Sequence, residues 1–135
     1  MFLVAFPLLI VPLAIYNIMA LLLNVEWNTA VATIAMISGG SWTITISDLF
    51  LAVTLFFLFW ELIKATGSST RSVIDHMLST LVFIVALVEF LLVRQAATST
   101  FALLILICLV DVIAGFSVSI RTARRDFSVE RADMI

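Results

Sequence analysis

Four apolar segments fill most of this 135-residue chain, and each is about 20 residues long. A helix of about 20 residues rises far enough to cross the hydrocarbon core of a bilayer, which is about 30 Å thick. The sequence therefore predicts an all-α membrane protein built as a four-transmembrane-helix bundle. The predicted spans are residues 2–23, 46–65, 77–93 and 101–120.

The composition agrees with lipid as the main solvent. Hydrophobic residues make up 64% of the chain, charged residues make up 12%, and the mean hydropathy is +1.27. These values lie far outside the range of soluble globular domains. The four spans leave no room for a second domain, so residues 1–135 are expected to form a single integral membrane domain. The net charge of -2 and the lack of a basic surface exclude nucleic acid as a partner.

The residues that usually carry enzymatic or metal chemistry are sparse. The chain has one cysteine, Cys108, and one histidine, His76, so it has no disulfide framework and no recognisable zinc, haem or iron–sulfur motif. It also has no glycine-rich phosphate loop and no nucleophile elbow. We therefore expect no enzyme activity, no cofactor and no metal site.

The stretch between the first two spans favours β-structure. Residues 33–37 and 42–46 are rich in β-branched side chains, and Ser38-Gly39-Gly40-Ser41 between them is typical of a hairpin turn that needs positive backbone dihedrals. We predict an extracytoplasmic β-hairpin over about residues 27–46, which packs on the outer helix ends or on a partner. An interfacial helix over residues 29–37 is the alternative. Trp27 and Trp42 suit the headgroup level, where indole rings concentrate.

Local signals place three helix features. Pro7 and Pro12 are expected to bend the first helix. Residues 45–48 and 72–75 both read as capping boxes that begin the second and third helices, with Asp48 and Asp75 in first turns.

Orientation follows from the positions of Lys and Arg, which collect in cytoplasmic loops. Lys64 and Arg71 flank the second loop, four arginines follow the fourth span, and the loop before the second span has none; Arg94 is the exception. Both termini and the tail of residues 121–135 should be cytoplasmic. The compact loops favour a bacterial inner membrane.

A cleaved signal peptide is the competing interpretation of the N-terminus, because Ala30-Val31-Ala32 is similar to a cleavage site. No Lys or Arg precedes the apolar run, and the site lies well beyond its end. The spanning interpretation is therefore favoured.

Asp111 is the leading candidate for a functional residue, because it lies at the midpoint of the fourth span. A carboxylate at that depth costs about 2.5–3.5 kcal/mol on insertion scales, so it needs a partner or a role. It shares a small and polar stripe with Cys108, Gly115 and Ser119, and such stripes mark close helix packing. Asp111 therefore either fixes helix packing through a neighbouring Ser, Thr or Asn, or takes part in proton chemistry.

The proton hypothesis needs further polar groups from other helices. Glu89 lies well inside the third span and has no cation on its own face, so it must find a partner or be protonated. Asn17 and Thr54 lie in the first and second spans. Together with Asp111 and Glu89 they could form a proton or cation relay.

The remaining polar residues are expected to be structural. Glu61 should pair with Lys64 on one helix face and reach the headgroups. His76 should be an interfacial residue. Arg121, Arg124 and Arg125 are candidate contacts for anionic lipid headgroups.

Two functions from different classes follow. The favoured one is an accessory or assembly subunit, which packs on a larger membrane complex or on copies of itself within the lipid bilayer. The alternative is a small oligomeric transporter or channel that is proton-coupled through its buried carboxylates. The order of spans and hairpin resembles claudin-like proteins in outline, without the paired cysteines of their outer loop. Small multidrug transporters carry a glutamate in their first helix, where this chain has Asn17. No family is assigned.

Overall fold

The computed structural model describes residues 6–66 and 70–133. Four α-helices and one two-stranded sheet account for most of them. The elements are α1 (Ile10–Asn17), which continues as a π-helical turn (Ile18–Leu22), then β1 (Ala30–Ala35), β2 (Ser41–Thr45), α2 (Ile46–Ala65), α3 (Thr70–Leu92), a 3₁₀ turn (Arg94–Ala96) and α4 (Ser99–Asp133).

Three helices within the described ranges are long and apolar enough to cross a membrane. The candidate spans are Ile46–Ala65, Val73–Leu92 and Ser99–Ser117. The first predicted span, residues 2–23, is helical over Ile10–Leu22, which is shorter than the others. The prediction is therefore confirmed for a mostly helical fold with three helices that could span a membrane and a two-stranded hairpin, while a fourth span is not confirmed.

The two prolines lie at the start of α1. Pro7 precedes the helix, and its carbonyl accepts the Ile10 N–H at 3.2 Å. Pro12 falls in the first turn, where backbone N–H groups have no helical partner and the missing N–H costs nothing. α1 therefore begins at Ile10, later than its hydropathy suggested, and the predicted bend stays a prediction.

The first capping box is confirmed and the second is wrong. Thr45 Oγ1 accepts the Asp48 N–H at 3.2 Å, and Asp48 Oδ2 accepts the Thr45 N–H at 2.9 Å. α3, by contrast, is already helical at Thr70, so Ser72 cannot be its N-cap. Asp75 lies inside that helix and is buried.

α4 is the innermost helix. In its span, 44% of residues are buried, against 17% in the span of α2. α4 also runs past the span to Asp133, so most of the predicted tail of residues 121–135 is helical. The buried apolar core includes Leu13, Phe50, Leu58, Ala86 and Leu104.

The predicted hairpin is confirmed, which excludes the interfacial helix. β1 and β2 pair antiparallel, with Ile34 opposite Trp42 and Thr33 opposite Thr43. The Gly39 N–H donates to the Met36 carbonyl at 3.0 Å and closes the turn. Gly39 has φ +90°, while Gly40 does not have a positive φ, so only the first glycine needs the left-handed region.

We expect Gly39→Val to weaken the hairpin by about 1–2 kcal/mol, because a residue with a Cβ resists a positive φ. Gly40→Val is the matched control, since a Cβ there meets only Ser38 Oγ at 3.6 Å. The measurement is oxidation of a cross-strand pair, Thr33→Cys with Thr43→Cys, in a Cys108→Ala background. The disulfide yield should fall for the Gly39 variant only. An equal disulfide yield in the Gly39 and Gly40 variants would contradict the conclusion that only Gly39 needs a positive φ.

Candidate functional site

Lys64, in the last turn of α2, contacts oxygen atoms from three parts of the chain. Its Nζ lies 3.1 Å from Glu61 Oε1 and 3.4 Å from Asp75 Oδ1 on α3. It also donates to the carbonyl of Phe6. Glu61 Oε1 in turn accepts the Leu8 N–H at 2.6 Å. These bonds connect the N-terminal segment, α2 and α3 at one end of the bundle.

The predicted pair of Glu61 and Lys64 is confirmed, but its location differs from the expectation. Glu61 is only 1% exposed, so its carboxylate does not reach the headgroups. The i, i+3 spacing showed that the two residues share a helix face, but it could not show that this face turns inward. Asp75 was missed as a member of this group because it had been interpreted as a helix cap.

Asp111 joins the same group from α4. It is 2% exposed and lies beside Ser79, close enough to Glu61, Asp75 and Lys64 for their charges to act on it. We call Glu61, Lys64, Asp75 and Asp111 the acid cluster. Asp111 is 12 residues from the start of α4, which is about 18 Å along the helix. The cluster therefore extends from the end of α2 to the interior of the bundle.

His76 lines this cluster and is buried, although the sequence suggested an interfacial residue. Its ring packs against Phe116 at a centroid distance of 5.8 Å. Among the residues that the structure describes, neither ring nitrogen has a hydrogen-bond partner. The Ser79 hydroxyl is buried too, and it has the Asp111 carboxyl group as its neighbour. Buried polar groups cost free energy when they stay unpaired, and a native structure needs a reason for them.

The stripe on α4 faces inward, as its composition predicted. Cys108 and Asp111 are buried, and Gly115 lies directly under the His76 ring: a Cβ built on Gly115 would meet His76 Cε1 and Nδ1 at 2.5 Å. The side chain of Ser119 lies outside the described ones. Gly115 therefore makes room for the histidine.

Glu89 and Asn17 form a separate pair. Asn17 Nδ2 donates to Glu89 Oε2 at 3.2 Å and to the Leu13 carbonyl at 3.0 Å. Glu89 thus has its partner on another helix. Ten residues of α3 separate it from Ser79, which is about 15 Å. Val82 and Ala86 are buried between them, so Glu89 and Asp111 belong to two different sites.

Thr54 is fully buried but bonds to its own helix, since Thr54 Oγ1 donates to the Phe50 carbonyl at 2.8 Å. It lies seven residues from Glu61, which is about 10 Å along α2. The structure therefore leaves Thr54 outside both polar groups.

Aromatic rings close the hairpin end of the bundle. Tyr16 stacks on Trp27 with 4.6 Å between centroids, and its hydroxyl donates to the Gln95 carbonyl at 2.9 Å. Trp27 is buried and packs on Tyr16, whereas Trp42 is 51% exposed. The predicted position of both indole rings at the headgroup level stays a prediction. No periodic pattern in the sequence could have paired Tyr16 with Trp27, because an irregular loop separates them.

The candidate headgroup contacts lie on α4 beyond its span. Arg121 and Arg124 are exposed, and the side chain of Arg125 lies outside the described ones. Their contact with anionic lipid stays a prediction.

The class of the protein follows from this arrangement: it is a mostly helical protein with three helices long and apolar enough to span a membrane and with a buried polar cluster. No group of three or more His, Cys, Asp or Glu residues that could hold a metal ion occurs in the part of the chain that the structure describes. Comparison with known protein families, with curated proteins and with solved structures finds no match.

We expect Gly115→Ala to destabilise the protein by about 1–3 kcal/mol, because the added methyl group collides with His76. A glycine-to-alanine change in a helix normally stabilises it by up to about 1 kcal/mol, so the sign is diagnostic. Thermal unfolding in detergent measures the effect. The double variant with His76→Ala should recover most of the loss, and a failure to recover it would show that the contact is not the cause.

Proposed function

We propose that the chain crosses the membrane four times. The N-terminal segment runs the whole length of α2, because Phe6 and Leu8 bond to Lys64 and Glu61 at one end. At the other end the Ser47 N–H donates to the Trp27 carbonyl at 3.0 Å. α2 has 20 residues and is about 30 Å long. The segment therefore covers the same thickness as a span, although only 13 of its residues are helical.

We infer from the distribution of positive charge that the end carrying Lys64 is cytoplasmic. No Lys or Arg precedes Lys64 in the sequence, whereas Arg71 and the arginines after the fourth span lie on that side. Both termini are then cytoplasmic and the hairpin is external. The short connections agree with a bacterial inner membrane.

A reporter fused after Ile135 and another in the loop near Ser69 should both report the cytoplasm, because Lys and Arg are concentrated next to these two positions. A reporter near Gly39 should report the outside. Enzyme fusions that are active on one side of the membrane only give the measurement. An external C-terminus would contradict four crossings.

We propose that the protein takes up and releases protons at the acid cluster, as a small oligomeric proton-coupled transporter or channel. Glu61 and Asp75 contact the Lys64 ammonium group, and Asp111 is close enough for their charges to act on it. The cluster has an excess of two negative charges if all four groups are ionised. An uncompensated buried charge costs several kcal/mol. The cluster is therefore neutral only when it holds protons on two of its carboxyl groups.

The observation that carries this proposal is the buried histidine beside the cluster. Both ring nitrogens of His76 are buried without a bond to any described residue, and Ser79 on the same helix lies beside Asp111. A histidine can accept a proton and a serine hydroxyl can pass one on. Ser79 beside Asp111, and His76 against Gly115 one turn further along α4, are therefore the next members of the proposed proton path.

The apolar gap between the acid cluster and Glu89 is consistent with regulated proton movement. A continuous polar path would leak protons at all times, whereas Val82 and Ala86 interrupt it over about 15 Å. Transport then requires a change in how α3 packs on α4. Whether Glu89 takes part in the path is an independent question, which its own variant answers.

We expect Asp111→Asn to abolish pH-driven proton flux in reconstituted vesicles with folding unchanged, because the amide keeps the shape but cannot titrate. A pH-sensitive dye inside the vesicles measures the flux. Asp111→Leu should in addition weaken helix association by about 1–2 kcal/mol. Glu89→Gln tests whether the path extends beyond the gap.

The matched control is Glu26→Gln, which removes an exposed carboxylate outside the candidate spans and should leave the flux unchanged. Flux that persists in Asp111→Asn, or no flux in the unmodified protein, would contradict the proposal.

A second candidate function is an accessory or assembly subunit of a membrane complex. An apolar groove between α2 and α4 favours it, and its walls include Leu51, Leu55, Leu103 and Leu106. A helix of a partner or of a second copy could fill this groove by close packing. A stoichiometric companion after purification in gentle detergent, with no proton flux, would favour this function over the first.

A further inference from the structure

We propose that the β-hairpin binds the lipid surface, with one face on the acyl chains and the other towards water. This inference goes beyond the acid cluster and does not depend on proton uptake. It requires only that α2 spans the membrane.

The two faces of the hairpin differ in chemistry. Residues directly opposite each other on paired strands share a face, and neighbours along a strand alternate. Ile34 pairs with Trp42 and Ala32 with Ile44, which makes one face apolar. On the other face Thr33 pairs with Thr43, and their hydroxyl oxygens are 3.4 Å apart.

The rest of the described chain does not cover the apolar face. All six residues of β1 are exposed, and so is Trp42. The tip is apolar as well, because Ile37 is fully exposed and Met36 is about half exposed. Water is a poor solvent for such a surface, and a contiguous apolar patch marks an interaction site.

The lack of charged residues in the hairpin indicates that its apolar face meets lipid and not water. Residues 27–47 contain no Asp, Glu, Lys or Arg. Soluble proteins protect exposed edge strands with charged side chains, above all lysine, and this hairpin has none. An uncharged amphipathic element with an indole ring suits the boundary between headgroups and acyl chains.

The base of the hairpin lies at the membrane boundary. β2 ends at Thr45 and the span of α2 begins at Ile46, with no residue between them. The Ile46 N–H donates to the Thr29 carbonyl at 3.0 Å, which holds the other strand at the same level. The first turns of α2 also carry exposed apolar side chains, Leu49 and Val53. Lipid is therefore the partner that covers the apolar face of the hairpin, because lipid already surrounds α2 when that helix spans the membrane.

Single cysteines on adjacent residues test the proposal in the full chain. Ile34→Cys reports the apolar face and Thr33→Cys the polar face, in a Cys108→Ala background with an environment-sensitive fluorophore. The protein is reconstituted in phosphatidylcholine vesicles, which carry no net charge, at high lipid-to-protein ratio. A nitroxide near the top of the acyl chains acts as quencher.

We expect the label at position 34 to emit at shorter wavelength and to be quenched several-fold more than the label at position 33. The pair Ile44→Cys and Thr43→Cys repeats the comparison on β2, in case a variant of β1 fails to fold. Equal quenching on the two faces would overturn the proposal. A blue-shifted label at position 34 that lipid nitroxide does not quench, and that loses its shift on dilution with lipid, would also overturn it in favour of a second copy.

Discussion

Lys64 donates to oxygens of Phe6, Glu61 and Asp75, and the rest of the bundle is arranged around these bonds. The chain is short of polar residues, so the few that lie inside must satisfy one another. An ammonium group that bonds to three parts of the chain fixes their relative depth and rotation. Removing one partner of such a group leaves a buried charge, which is strongly destabilising. The acid cluster therefore holds the N-terminal segment, α2 and α3 together, and it is also the candidate functional site.

The second constraint is the close approach of α3 to α4. Gly115 has no side chain and leaves room for the His76 ring, one helical turn along α4 from Asp111. α4 thus carries both the Asp111 carboxylate and the space at Gly115 that the His76 ring of α3 fills. The acid cluster places titratable carboxyl groups where the helices pack together, so a change in their charge also changes the packing. This coupling is the physical basis of the proposed proton uptake.

The two ends of the bundle differ in the forces that hold them. Charged groups dominate around Lys64, while the hairpin end is closed by the stacked rings of Tyr16 and Trp27 and by hydroxyl contacts. The hairpin itself has no charged residue. If the hairpin lies in the headgroup layer, the membrane supplies the apolar cover that the chain does not provide. Aromatic and lipid contacts then position the hairpin end of the bundle without fixed charges.

The sequence by itself determined the membrane class, the hairpin and its turn, the capping box of α2 and the pairing of Glu61 with Lys64. Each of these depends on residues close together in the chain, whose spacing is visible in the letters. Only the tertiary structure decided that Glu61 faces inward, that Asp75 is a cluster member and not a helix cap, and that Glu89 pairs with Asn17 far from Asp111. It also buried Trp27 and shortened the first helix. In a chain that is apolar on nearly every face, hydropathy cannot distinguish the side of a helix that meets lipid from the side that meets protein, so contacts between helices had to settle it.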